Sequence, residues 1–124
     1  DAAAAVGCDV AQIVKSLVFL ADGRPVVALV SGANRLDPPR LATALGARSV
    51  ERADGNAVRA ATGYAIGGVP PVGHATRLPV FIDRDLMAHA RIYGAAGTPN
   101  AVFPVSPADL VRVTAGQLAD LAAD

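Results

Sequence analysis

Apolar residues occur in short runs along the chain, separated by glycine, proline and aspartate. Residues 13–20 and 25–30 are rich in β-branched and apolar side chains, and residues 21–24 between them include Asp-Gly. This pattern predicts two strands joined as a hairpin with a four-residue connection. Because side chains alternate between the two faces of a strand and both faces of residues 13–20 are mostly apolar, this strand is predicted to be central.

Helix start and stop signals divide much of the remaining chain. A serine or aspartate before the first helical residue, often followed by proline, is a typical start, and glycine is a typical stop. These signals predict helices at residues 2–6 before Gly7, after Asp37 as far as Leu45 and Gly46, after Asp54 as far as Ala61, at 83–88, after Ser106, and after Thr114. Further strands are predicted at residues 78–82, 91–93 and 101–105.

The irregular order of strands and helices, with one clear hairpin, predicts an α/β fold with a mixed sheet and helices packed around it. The length of 124 residues predicts a single domain, residues 1–124. Apolar residues make up 52% of the chain and the formal net charge is zero. A broad electrostatic grip on a nucleic acid is therefore not expected, and any contacts with RNA should be few and concentrated at one end.

Cysteine usage and hydropathy favour a soluble cytoplasmic protein. Cys8 is the only cysteine, so no disulfide can form within the chain. No apolar run approaches the ~20 residues needed to cross a bilayer. Residues 1–5 lack the basic start and apolar run of a signal peptide. They are typical of the middle of a helix, and we expect an N-terminal segment to be missing before them.

Lys15 is the single lysine in a chain with ten arginines, and it falls in the predicted central strand. A lysine there is costly unless its ammonium reaches water or an anion. One interpretation places Lys15 at the rim of a pocket, where it holds a phosphate, a hydroxyl or a carbonyl oxygen. The other places it near a strand end, with its stem packed and its head in solvent. The spacing alone leaves both open.

Residues 62–73 hold four glycines and two prolines, too many for a helix or strand. Glycines allow positive φ and close approach of a ligand, and prolines limit flexing. This composition favours a shaped loop that aims backbone groups at a substrate over a plain connection. It is neither a dinucleotide fingerprint nor a P-loop.

Other chemistries have little support in the sequence. Cys8, His74 and His89 do not have metal-ligand spacing, and no serine lies in a G-x-S-x-G elbow. Cys8 is interpreted as a small buried filler and His89 as a histidine at a helix end. His74 adjoins the glycine loop, where it could contact substrate or hydrogen-bond the loop itself.

Four motifs in order are similar to the YbaK/ProX family of prolyl-tRNA editing domains, and they cover nearly the whole chain. They are I-V-K-S-L-V-F at residues 13–19, G-Y-x-x-G-G-x-x-P-x-G at 63–73, A-G-T-P-N at 96–100, and S-P-x-D-L-x-x-V-T at 106–114. The resemblance implies a mixed, largely antiparallel sheet. It also implies hydrolysis of the ester between a small amino acid, such as alanine or cysteine, and the terminal adenosine of tRNA(Pro), without a metal or cofactor.

The resemblance also implies the site. Lys15 matches the family's essential lysine, and Gly67 and Pro71 match the ends of its substrate-positioning loop. The catalytic residues are therefore expected to be Lys15 and Gly67. Substrate contacts are expected from Ser16, Gly68, Val69, Pro70, Pro71, His74, Gly97, Thr98, Pro99 and Asn100. The expected partners are the aminoacyl-tRNA acceptor end and, as a further candidate, prolyl-tRNA synthetase, with neither membrane nor DNA.

Two alternatives remain at this point. One is a non-catalytic tRNA- or nucleotide-binding regulatory module, and the other is a hydrolase of another small ester. A basic rim around the Lys15 pocket, from residues such as Arg35, Arg77 or Arg91, would favour tRNA. An enclosed neutral pocket would favour a small molecule.

Overall fold

The hairpin predicted near the start of the chain forms the longest strand pair. In the computed structural model, which describes residues 2–98 and 101–124, β1 (Val14–Ala21) pairs antiparallel with β2 (Arg24–Ser31). The chain reverses through Asp22 and Gly23, whose φ angles of 50° and 83° suit a type I′ turn. The predicted four-residue connection is wrong, because Ala21 and Arg24 pair with each other and leave a two-residue turn.

Five strands form the main sheet and two form a separate hairpin among the described residues. The remaining strands are β3 (Val50–Arg52), β4 (Val80–Asp83), β5 (Ile92–Ala95), β6 (Val102–Val105) and β7 (Gln117–Ala119). The main sheet has the order β3-β1-β2-β4-β7, and β5 pairs with β6. Three strand pairs are antiparallel, and β2–β4 and β4–β7 are parallel. The predicted fold class, a mixed and largely antiparallel sheet with helices, is confirmed.

Most of the predicted helices are present close to their predicted ends. The α-helices are α1 (Ala2–Val6), α2 (Pro38–Leu45), α3 (Gly55–Thr62) and α4 (Pro107–Thr114), with 3₁₀ turns at Val10–Gln12 and Arg84–Ala88. Gly46 and Gly63 end α2 and α3 in the left-handed conformation. None of these helices is long and apolar enough to span a bilayer.

The predicted last helix is wrong, because residues 117–119 form β7 instead. The capping signal at Thr114 acts within a turn, where its Oγ1 accepts a hydrogen bond from the N–H of Gly116 at 3.1 Å. Gly116 lies against β4, and a Cβ atom there would stand 2.6 Å from Cδ1 of Ile82. This close approach brings the chain beside β4, where strand pairing satisfies the backbone.

The sheet is buried on both faces, as the two apolar faces of β1 predict. Val14 and Val18 join the cluster that packs under α3, the glycine loop and α4. Phe19 and Ala21 join the opposite cluster, which includes Leu41 of α2. Lys15, an odd-numbered position like Phe19, therefore belongs to the α2 face of the sheet.

Asp54 caps α3, and we expect Asp54→Ala to lower the free energy of unfolding by about 1 kcal/mol. Its side chain accepts a hydrogen bond from the N–H of Ala57 at 2.8 Å. Asp37→Ala is a matched control, because Asp37 occupies the same position before α2 and its side chain makes no capping hydrogen bond. Urea unfolding of both variants measures the difference, and equal losses would contradict the assigned cap.

Candidate functional site

A cavity opens along the edge of β1 that faces away from β2. β3 pairs with residues 19–21 of this edge, and the N–H of Ala53 donates to the carbonyl of Val18 at 3.1 Å. At the other end, Tyr93 of β5 bridges to Ile13. Between these contacts, residues 15–17 have no strand partner on this edge within the described ranges. The gap opens into a cavity of about 330 Å³.

The wall of this cavity is mostly apolar and comes from segments far apart in the sequence. Its described lining consists of Ala2, residues 13–18, Arg52, Ala53, Val58, Ile66, Gly67, Val69, Ala95 and Val102. Lys15 and Arg52 are the charged residues in this lining. A volume near the small end of the range for ligand sites fits a compact group. The cavity suits a small apolar side chain whose polar attachment lies near the two cations.

Lys15 lines the cavity, and a network after β2 holds its ammonium group. The ammonium donates a hydrogen bond to the backbone carbonyl of Asn34. The Asn34 side chain donates to Asp83 at 2.8 Å and to Asp85 at 2.9 Å. Burial lowers the pKa of Lys15, the charge of Asp83 raises it, and the charge of Arg52 lowers it. The ammonium is thus held on the α2 side of the sheet, at the edge of β1 where the cavity opens.

The glycine-rich loop is anchored at both ends. The N–H of Ala75 donates to the carbonyl of Thr62 at 2.9 Å, which closes the loop. Thr62 is fully buried, and its Oγ1 accepts from the N–H of Tyr64 at 3.1 Å. Within the loop, Val69 is buried against the core. These contacts favour a shaped binding loop over a plain connection.

Gly67 and Gly68 bring the loop to the cavity and to the hairpin. Gly67 lines the cavity with a φ of 89°, a conformation that glycine adopts without strain. Gly68 packs against the β5–β6 connection, and a Cβ atom there would lie 2.8 Å from the carbonyl oxygen of Gly97 and 3.0 Å from Cα of Thr98. The two glycine- and proline-containing loops predicted from sequence are therefore in direct contact.

The structure brings some of the predicted site residues to the cavity and places others around it. The cavity wall includes Lys15, Ser16, Gly67 and Val69. Gly68, Gly97 and Thr98 form the loop contact, and Pro70 and Pro71 are buried, with Pro71 beside Gly94 of β5. Pro99 and Asn100 lie outside the described residues. The Oγ of Ser16 is buried and has no hydrogen-bond partner in the described part of the chain. Buried polar groups are normally hydrogen-bonded, so this unsatisfied oxygen sets the cavity wall apart from the rest of the core.

His74 and Pro71 line a second, more open pocket of about 350 Å³, and Lys15 is not part of its lining. Nε2 of His74 is 2.7 Å from the carbonyl oxygen of Pro70. Of the two interpretations of His74 from sequence, this hydrogen bond favours a histidine that holds the loop. His89 lies at the end of the 3₁₀ turn at residues 84–88 and is half-buried.

Sequence reasoning missed Arg52, Asn34 and Asp83. Arg52 lies in the three-residue strand β3, and its guanidinium stands 5.7 Å from the centre of the Phe19 ring. Arg35, Arg77 and Arg91, the sequence candidates for a basic rim, are exposed and do not line the cavity. A strand this short has no periodic signal, so only the pairing with β1 could reveal Arg52.

A larger open groove of about 840 Å³ lies beside β7 and α2. Its lining includes four carboxylates, from Asp83, Asp85, Asp120 and Asp124, and one arginine, Arg40. Such a lining repels a nucleic-acid backbone. The smaller cavity, with Lys15 and Arg52, is therefore the candidate site.

The molecule is a mixed α/β domain with a small, mostly apolar cavity that has Lys15, Arg52 and the glycine loop on its wall. The chain belongs to the family of aminoacyl-tRNA editing domains, whose family model matches residues 1–113. This membership confirms the resemblance seen in the sequence motifs, and with it the predicted function class of aminoacyl-tRNA editing.

Individual relatives and solved structures agree with this family. The chain is 30% identical over 120 residues to the "Putative Cys-tRNA(Pro)/Cys-tRNA(Cys) deacylase EbsC" of Enterococcus faecalis, covering 96% of this chain and 73% of the relative. It is 41% identical over 86 residues to the proline–tRNA ligase of a Geobacter species, covering 69% of this chain but 15% of the ligase. A crystal structure described as "a putative trans-editing enzyme for prolyl tRNA synthetase" superposes with a TM-score of 0.95 at 46% identity, covering 99% of this chain and 78% of that one.

Proposed function

We propose that this domain hydrolyses the ester of tRNA(Pro) that carries a wrong small amino acid, alanine or cysteine. The observation that carries the proposal is the 330 Å³ apolar cavity with Lys15 on its wall. The names of the relatives, a Cys-tRNA(Pro) deacylase and proline–tRNA ligases, support tRNA(Pro) as the substrate. Under this proposal residues 1–124 act as one editing domain in the cytoplasm, with the acceptor end of the tRNA and prolyl-tRNA synthetase as partners.

The need for such an activity follows from the limits of size discrimination. A synthetase pocket separates amino acids that differ by one methylene by only ~1–3 kcal/mol, so smaller amino acids are attached by mistake. A second site that admits the small amino acid and excludes proline removes these errors.

Each part of the cavity has a role in the proposed hydrolysis. Lys15 binds the terminal adenosine or its phosphate, and backbone groups of residues 67–71 hold the ester and stabilise the developing oxyanion. The described lining includes neither a histidine nor a carboxylate to act as a general base. An aminoacyl ester is already reactive, so placement of a water by the substrate's own ribose hydroxyl suffices in this mechanism.

The test is deacylation of tRNA(Pro) charged separately with alanine, cysteine, serine and proline. We expect release of alanine or cysteine well above the rate of spontaneous ester hydrolysis, and no enhanced release of proline. If a folded protein releases none of the four, with and without prolyl-tRNA synthetase, the proposal is wrong and a non-catalytic binding module takes its place. Hydrolysis of free small esters alone would instead identify a small-ester hydrolase.

Arg52 is expected to contribute to tRNA binding, because it is the second cation on the cavity wall. We expect Arg52→Ala to raise KM for charged tRNA roughly 5- to 10-fold with little change in kcat, and to weaken the salt dependence of kcat/KM. Arg24→Ala is the control, because Arg24 is an exposed arginine at the hairpin turn that does not line the cavity. Equal effects of the two variants would mean that Arg52 adds only to the overall charge.

A further inference from the structure

Asp83 is a fully buried carboxylate outside the cavity, and both of its oxygens accept hydrogen bonds from neighbouring residues. It lies at the end of β4 with 1% of its surface exposed. One oxygen accepts from the N–H of Ser31 at 3.1 Å and from the side chain of Asn34 at 2.8 Å. The other accepts from the N–H of Asp85 at 3.0 Å. A buried carboxylate is costly unless it is satisfied in this way, so Asp83 fixes the chain segment after β2.

That segment holds the ammonium of Lys15. The backbone carbonyl of Asn34 accepts the hydrogen bond from Lys15, while the side chain of the same residue is bound to Asp83. The carboxylate therefore sets the position of the carbonyl that the lysine contacts. β2, which separates β1 from β4, places Asp83 on the same face of the sheet as Lys15.

We propose that Asp83 is a positioning residue for Lys15, because it binds the Asn34 side chain and so places the Asn34 carbonyl that accepts the hydrogen bond from the ammonium. This proposal rests on the proposed function, in which the charged Lys15 binds the tRNA end. The charged groups that face Lys15 are Asp83 from β4 and Arg52 from β3, with Asp85 reached through Asn34. Asp83 opposes both burial and Arg52, which favour the neutral amine.

The single lysine makes a direct test possible. In protein labelled with ¹³C-lysine, the side-chain resonance of Lys15 reports its titration with no other lysine signal. Because the ammonium exists below its pKa and Asp83 raises that pKa, we expect Asp83→Asn to move the titration of Lys15 to lower pH. The alkaline fall of kcat/KM for deacylation should move the same way, and kcat should drop roughly 10- to 100-fold.

Asp120→Asn is the matched control, because it removes a carboxylate that pairs with Arg84 on the surface. We expect it to leave the Lys15 titration unchanged. An unchanged titration and kcat in folded Asp83→Asn would overturn the proposal. If the titration moves but the wild-type protein releases no amino acid from any charged tRNA, the role of Asp83 stands and the proposed function fails.

A second variant decides the matter if Asp83→Asn does not fold. Asn34→Ala keeps the backbone carbonyl that Lys15 contacts and the charge of Asp83, but it removes the side-chain hydrogen bond from residue 34 to Asp83. We expect a kcat reduced roughly 10-fold or more, with a Lys15 titration that stays near that of the wild type. A wild-type kcat in folded Asn34→Ala would show that the position of the carbonyl does not matter, and would overturn the proposal.

Discussion

Lys15→Ala is expected to abolish deacylation while the fold is retained. Among the described residues of the cavity wall, Lys15 is one of two cations, and its ammonium donates a hydrogen bond to the Asn34 carbonyl. Loss of the group that holds the terminal adenosine or its phosphate misplaces the ester, and a misplacement of about 1 Å slows an enzyme by about 100-fold. Single-turnover deacylation of mischarged tRNA(Pro) measures the loss, and thermal unfolding with circular dichroism checks the fold.

Lys15→Met separates the charge from the packing of the side chain. Methionine keeps most of the unbranched stem and removes the ammonium, so the cavity wall is preserved. We expect Lys15→Met to lose as much activity as Lys15→Ala and to unfold at or above the temperature of the wild type, since burial of the charge is unfavourable. Full activity of either variant would exclude the proposed role of Lys15.

Gly68→Ala is expected to cause the second-largest loss of activity. Its new Cβ atom would stand 2.8 Å from the carbonyl oxygen of Gly97 and 3.0 Å from Cα of Thr98. These are backbone atoms, so rotation of a side chain cannot relieve the clash and the two loops must move apart. Overpacking of this kind costs about 1–3 kcal/mol of stability. Displacement of the neighbouring Gly67 from the ester should reduce kcat by about 100-fold.

Gly55→Ala provides the matched control for this substitution. Its Cβ atom would meet only Cδ1 of Ile66, at an ordinary 3.9 Å, and Gly55 is the first residue of α3. Alanine favours a helix more than glycine does, so this variant should be as active as the wild type and equally or more stable. Urea unfolding and single-turnover deacylation of both variants test the difference. Wild-type activity in Gly68→Ala would show that contact between the loops does not position the ester.

The parts of the fold that the sequence predicted are those with strong local signals. The Asp54 cap, the glycine stops after α2 and α3, and the apolar faces of β1 all depend on residues within a few positions. β3 was not predicted, because three residues are too few for periodicity. The region after Thr114 was predicted as a helix because its capping chemistry is also that of a tight turn, and pairing with the distant β4 decided between them.

The candidate site was predicted where a motif carries it and missed where only tertiary contacts create it. Lys15 and Gly67 stand in recognisable motifs, and both line the cavity. Asn34 and Asp83 are 49 positions apart and have no common motif. Their relation to Lys15 exists only because β2 lies between β1 and β4 in the sheet. No single-sequence pattern reports such a lateral arrangement.

The two-stranded sheet of β5 and β6 has a consequence for how this family diversifies. Ala95 and Val102 form one side of the cavity, and their strands pair with each other, with the bridge between Tyr93 and Ile13 as their link to the residue before β1. Changes in this hairpin alter the shape of the cavity without disturbing the hydrogen bonds of the main sheet. Under the proposed function, substitutions at Ala95 and Val102 can therefore change which amino acid the cavity admits while the strand pairs of the five-stranded sheet stay the same.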